Sequence, residues 1–179
     1  MQLPRRLPLI ALLSVLLPAC ERPAPPKVEL GIPWGLAEHR HRTLSDLSYR
    51  FELQIPSSRG EPIQGRATIA FVRQDPDGFD LVLDFMRPGE RVRSVRANGA
   101  DVNWTAVEDH VVIPAASLAE GRNEVEMEFT AGDEALNRND DFLYSLFVPD
   151  RAHFSLPVFD QPNLKAPVAW TLQVPPGWK

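Results

Sequence analysis

One cysteine, Cys20, is all that the 179 residues contain, so no internal disulfide can form and no other thiol is available for chemistry. Glycine is sparse too: ten residues against eighteen prolines, a balance that works against long helices and suits strands joined by rigid turns. Positive charge is not in excess. Nineteen Lys and Arg stand against 24 Asp and Glu, a net −5, so no basic stripe can displace counterions from phosphates, which argues against nucleic acid as a partner. No P-loop, no G-x-G-x-x-G and no H-E-x-x-H occurs. The remainder, 44% hydrophobic and 24% charged, is ordinary composition for one domain. A chain of this size buries about 70% of its unfolded surface, enough for a core without staples.

The longest apolar run, Leu7–Leu17, follows Arg5 and Arg6. It is too short to span a bilayer and suits a secretory leader. It ends in Leu17-Pro18-Ala19-Cys20, similar to a bacterial lipobox, which implies a leader over residues 1–20 and a lipidated Cys20. Plain secretion is the alternative. Glu21 after the cysteine resembles the sorting signal of outer-membrane lipoproteins, so the expected location is the cell envelope, anchored to the outer membrane and facing the periplasm. Residues 21–35 read as a proline-rich tether, with the folded domain over 36–179.

Beyond the tether the hydrophobic period is two. Leu47, Tyr49, Phe51, Leu53 and Ile55 alternate with polar residues; Leu81, Leu83 and Phe85 alternate with Val82, Asp84 and Met86; Val125, Met127 and Phe129 alternate with glutamates; and Val168, Trp170, Leu172 and Val174 repeat the pattern. Asn98-Gly99 between Val95 and Val102 is a hairpin signal, since both residues tolerate the positive φ of a type I′ turn. The expected fold is all-β, an antiparallel β-sandwich, with His39–Leu47 as the only, poor, helix-like stretch.

Candidate chemistry is thin. His39-x-His41 has metal-ligand spacing on a strand face but reads as a solvated lead-in, with only His110 and His153 as further imidazoles. His153, Ser155 and Asp160 have the residue types of a hydrolytic triad without a nucleophile elbow. Asp133-Glu134 with Asn137–Asp141 is oxygen-rich, yet it lacks the glycine-centred spacing of a calcium loop and carries Arg138 in its middle.

The most informative stretch runs from Asp140 to Ala166, where apolar bursts Phe142–Val148 and Phe154–Phe159 are split by Asp150-Arg151 and punctuated by prolines. Tyr144–Ala152 and then Leu156-Pro157-Val158-Phe159-Asp160-Gln161-Pro162-Asn163-Leu164-Lys165-Ala166 resemble the N-terminal domain of the zinc aminopeptidase N family. Weaker matches keep the family order: Ser45–Tyr49, Gly65–Ile69, Leu83-Asp84-Phe85, Asn98-Gly99, Ile113-Pro114 and Gly121-Arg122-Asn123. The motif residues are Phe159, Asp160, Gln161, Pro162 and Lys165.

The resemblance implies a saddle-like sandwich that packs on a thermolysin-like catalytic domain, with Phe147 and Val148 on the wall of the peptide cleft and Phe154–Phe159 tucked inside. Val148 stands where the family usually has Gln or Glu to hold the substrate amine, and valine cannot accept that hydrogen bond. G-x-M-E-N and H-E-x-x-H are absent from this sequence, so zinc belongs to the full-length family and no cofactor is expected on this chain. The expectation is therefore a sandwich incomplete at its C-terminus and inactive alone. Its expected partners are the absent catalytic domain, peptides in the full-length enzyme, and the membrane through Cys20. The alternative is a stand-alone lipoprotein that binds peptides, partners or glycans, with Trp34, Trp104, Trp170 and Trp178 as sugar platforms, although Trp170 fits a core position better.

Overall fold

The computed structural model describes residues 23–139 and 142–178. The leader and Cys20 lie outside the described residues. Helix α1 (Trp34–Thr43) leads into nine strands: β1 (Leu44–Gln54), β2 (Ile63–Arg73), β3 (Leu81–Asp84), β4 (Val92–Ala97), β5 (Ala100–Asp101), β6 (Thr105–Val107), β7 (His110–Ile113), β8 (Gly121–Ala131) and β9 (Val168–Gln173). A one-turn helix, α2 (Pro88–Arg91), joins β3 to β4.

Six strands form one sheet in the order β5-β4-β8-β2-β1-β9, and three form a second in the order β3-β7-β6. The period-two pattern decides the inner face. Tyr49, Phe51 and Leu53 of β1, Ala67, Ile69 and Phe71 of β2, and Val125, Met127 and Phe129 of β8 are buried, while Arg50, Glu52, Arg66 and Glu124 face solvent. The second sheet adds Leu81, Leu83, Val111 and Ile113 to the same core. Asn98 (φ 51°) and Gly99 (φ 82°) make the β4–β5 turn at the predicted place. Buried Asn123 secures the neighbouring loop by bonding Asn98 Nδ2 (2.9 Å) and both backbone groups of Ala119 (2.8 Å each).

Gly65 has a packing reason. It pairs with Phe129 across β2 and β8, and the ring lies over it: a Cβ there would come within 2.5–2.8 Å of three ring carbons. The bare backbone lets Phe129 reach Phe85 at the end of β3, edge to face at 5.4 Å, so one aromatic pair bridges the two sheets.

Three expectations change. The six-stranded sheet is mixed rather than antiparallel, because the chain after β8 crosses the end of the sandwich before laying β9 parallel to β1, with Phe51 beside Trp170. All four residues of β3 are buried, so the half-buried reading of Leu81–Asp84 fails, and Asp84 lies inside. The helix ends at Thr43, four residues before Leu47, because β1 already begins at Leu44. No helix among the described residues is long and apolar enough to cross a membrane.

Candidate functional site

Helix α1 buries Leu36, His39, Arg40 and Thr43, a spacing that puts all four on one face, although three of them are polar. What docks this face is hydrogen bonding. Arg40 is 2% exposed and grips the Asp84 carboxylate with both terminal nitrogens, at 2.5 and 2.9 Å, while also donating to Val82 O (2.8 Å). Its guanidinium lies over the Phe159 ring, 5.4 Å from the centroid.

Asp84 takes two further donors: His110 Nδ1 at 2.9 Å and the Asp160 backbone N–H at 2.8 Å. Burial pushes its carboxyl up, but the Arg40 charge and the hydrogen bonds from His110, Arg40 and Asp160 hold it below the ordinary value.

The Phe-Asp-Gln-Pro block is built into this centre. The Phe159 N–H donates to the buried Tyr49 hydroxyl (3.0 Å), whose own ionisation burial pushes upward. Gln161 Nε2 donates to Ala37 O (3.1 Å) and Asn163 Oδ1 (2.8 Å). Asp160 accepts at Oδ2 from His153 Nδ1 (2.7 Å) and from the His153 backbone N–H (3.0 Å). Pro162 and Lys165 are exposed. The motif therefore ties the crossover to α1 and β3.

Of the triad types, His153 and Asp160 meet, but Ser155 is fully buried and donates its hydroxyl to Gly132 O (2.7 Å), so it is not the nucleophile of that pair. Burial works to lower the His153 imidazole, yet the Asp160 hydrogen bond and the charges of Asp160 and Asp150 raise it overall. Asp150 joins that pair loosely, with ligand atoms of Asp150, His153 and Asp160 all within 4.8 Å. A hydrogen bond at 2.7 Å accounts for the His153–Asp160 contact, and the trio lacks the paired histidines of H-E-x-x-H, so it does not fit that family's zinc site.

The oxygen-rich loop is also satisfied by cations from within the chain. Arg138 bonds Asp133 (3.0 Å) and the carbonyls of Arg59 and Glu61, while Glu134 meets Arg91 (2.8 Å) and Arg87. Asp140 and Asp141 lie outside the described residues.

His39 corrects the solvated reading. It is buried against Phe79 and lies 3.5 Å from Asp75, burial lowers its pKa, and exposed His41 does not join it.

The two apolar bursts divide as the resemblance implies. Leu156, Val158 and Phe159 are buried. Phe142, Tyr144, Leu146 and Val148 are exposed, Val148 the most at 72%. Phe147, partly buried, stacks on Trp170 with centroids 6.3 Å apart and planes at 7°, and Trp170 in turn leans on Phe51 at 5.1 Å. Trp170 is nonetheless 44% exposed, so the core position expected for it is not filled. Register gives the reason: Val168, Trp170 and Leu172 lie beside Tyr49, Phe51 and Leu53, on the core face of the sheet, but the three-stranded sheet does not extend over β9. With Val174 they make an apolar stripe joined to the 142–148 burst through the Phe147–Trp170 stack.

The same architecture occurs in solved enzymes. Native yeast LTA4 hydrolase superposes with a TM-score of 0.61 and 18% identity, over 75% of this chain and 24% of that one. The M1 zinc metallopeptidase from Deinococcus radiodurans gives 0.53 and 21%, over 73% and 32%. The chain has the fold of a domain found in M1 zinc metallopeptidases. It spans about a quarter to a third of the length of these enzymes. No family model matches the chain. No curated protein matches it either.

Arg40 and His110 escape a reading by motif, and the Leu83-Asp84-Phe85 match does not reveal that Asp84 is their buried partner. The available signal was Asp84 itself, a charge inside the apolar run Leu81–Met86, which requires a buried partner.

Proposed function

We propose that this chain is the N-terminal, non-catalytic sandwich of a zinc aminopeptidase, which packs on a zinc-bearing catalytic domain and walls its peptide cleft with Phe147 and Val148. The observation that carries the proposal is the uncovered core face of β9. Val168, Trp170 and Leu172 are 44%, 44% and 51% exposed although they continue the line of Tyr49, Phe51 and Leu53. Soluble monomers seldom leave contiguous apolar surface of more than a few hundred Å² bare, and a larger patch marks an interface. The shared fold with M1 metallopeptidases supplies the class of partner. Hydrolysis of peptide N-terminal residues, the zinc that supports it and recognition of the peptide amine then belong to that partner module. We place the assembly at the bacterial cell envelope, held through Cys20, on the strength of the leader sequence.

A photo-crosslinking residue at Leu146 or Leu172, used in living cells, tests the reading. Adducts should map to a module bearing H-E-x-x-H, in the same polypeptide or another. Adducts confined to unrelated proteins, or none, would overturn it, the latter favouring a stand-alone binding protein. The purified chain with added zinc should leave aminoacyl chromogenic substrates intact.

A further inference from the structure

His110 opens β7 and is 2% exposed. Each ring nitrogen faces a group that can only accept. Nδ1 lies 2.9 Å from Asp84 Oδ1, and Nε2 lies 3.0 Å from Glu29 O and 2.9 Å from Gly31 O. A neutral imidazole carries one N–H and satisfies one side only. An ionised carboxylate on one edge and two peptide carbonyls on the other require two N–H groups, that is, the imidazolium.

The second contact is long-range in sequence. The stretch around Glu29–Gly31 precedes α1 and is outwardly exposed, with Leu30 70% accessible. His110 reaches it from about eighty positions away. We propose that doubly protonated His110 is a clasp that straps the Glu29–Gly31 segment to the end of the sandwich, and that loss of one ring proton opens it.

The direction of opening follows from the unequal acceptors. Asp84, already gripped by Arg40 and the Asp160 N–H, is the stronger one, so a neutral ring keeps its proton on Nδ1. Nε2 then turns a lone pair toward two carbonyl oxygens, and the contact becomes repulsive.

The charged groups facing the ring are Asp84 from β3 and Arg40 from α1; the strap presents only the backbone carbonyls of Glu29 and Gly31. Burial and Arg40 favour the neutral ring, but the hydrogen bond and charge of Asp84, with the Glu29 carbonyl, outweigh them and raise His110 overall. The clasp is therefore closed below the ordinary histidine value of about 6.5 and opens as pH climbs through the raised folded value. Opening adds the freed segment to the linker before it, about 3.3 Å per residue, so the clasp governs how far the sandwich stands from whatever holds its N-terminus.

The test uses the full chain with Cys20→Ser and Leu30→Cys, carrying a nitroxide on the new thiol. At about pH 5.5 the spectrum should be that of an immobilised label, and by about pH 9 that component should be lost, following the titration of the His110 ring seen by ¹⁵N NMR. His110→Gln should abolish the transition. An unchanged line shape across the range, or a transition that survives in His110→Gln, overturns the proposal. Should that variant not fold, the parent still decides: ring nitrogens reporting a single proton at the acid end refute the clasp.

Discussion

Replacing Arg40 by methionine keeps the helix propensity and most of the volume of the side chain but removes its charge. Asp84 would remain inside with only His110 and the Asp160 N–H, and Val82 O would lose its donor. Stripping one partner from a buried ion pair costs about 3–5 kcal/mol; with His110 still in place, about 3 kcal/mol is expected. That is a large share of the roughly 5–15 kcal/mol that separates a folded domain from its unfolded chain.

The pH dependence carries the sharper test. In the parent, Asp84 sits below its unfolded value, so its stabilisation is present above about pH 3.9 and fades as pH falls through the depressed folded value. Without Arg40 the folded value moves up, because the largest influence that lowers it is gone, and the variant gains less stability than the parent as pH rises. The gap between parent and variant should widen between about pH 4.5 and pH 7. Urea unfolding followed by tryptophan fluorescence measures it. A loss under about 1 kcal/mol at neutral pH, or a gap that does not grow, would refute the reasoning. Adding Asp84→Asn to the variant should recover part of the deficit, since the unpaired charge goes with it.

Two further expectations concern packing and protonation. Gly65→Ala drives a methyl into the Phe129 ring and should lower the unfolding free energy by about 1–3 kcal/mol, whereas the same change at solvent-facing Gly60 should cost little in the same urea titration. His153 is raised by Asp160, so its share of stability is complete below about pH 6.5 and is lost as pH rises through the folded value; Asp160→Asn should flatten that part of the profile when midpoints at about pH 6 and pH 9 are compared.

Much of the sandwich could be read from period and turns. β1 and β8 bury the residues that alternation assigns to the core, and Asn98-Gly99 turns where two positive-φ positions are required. The contrast between the largely buried 154–159 burst and the open 142–148 burst came from the family resemblance; the split around Asp150-Arg151 alone does not say which burst goes inside. The orientation of β9 was not. Alternation tells which residues share a face and says nothing of strand direction or of what covers the face, so Trp170 passed for core. Nor was the docking of α1 legible: the sequence shows a helix-like stretch from His39, but the run Glu38-His39-Arg40-His41-Arg42 looks solvated until Asp84, 44 positions on from Arg40, supplies its partner. Pairings over that distance leave no local mark in the chain.

The crossover that makes β9 parallel to β1 also fixes an order of assembly. Strands β1, β2 and β8 pair with one another, and Phe85 meets Phe129, before Val168 in the direction of synthesis. A chain emerging from its N-terminus can therefore seal the two-sheet interior while β9 is still being made. Strand β9 then adds to the sheet edge through β1, its one sheet neighbour among the described residues, so the open apolar stripe forms on an interior that is already in place.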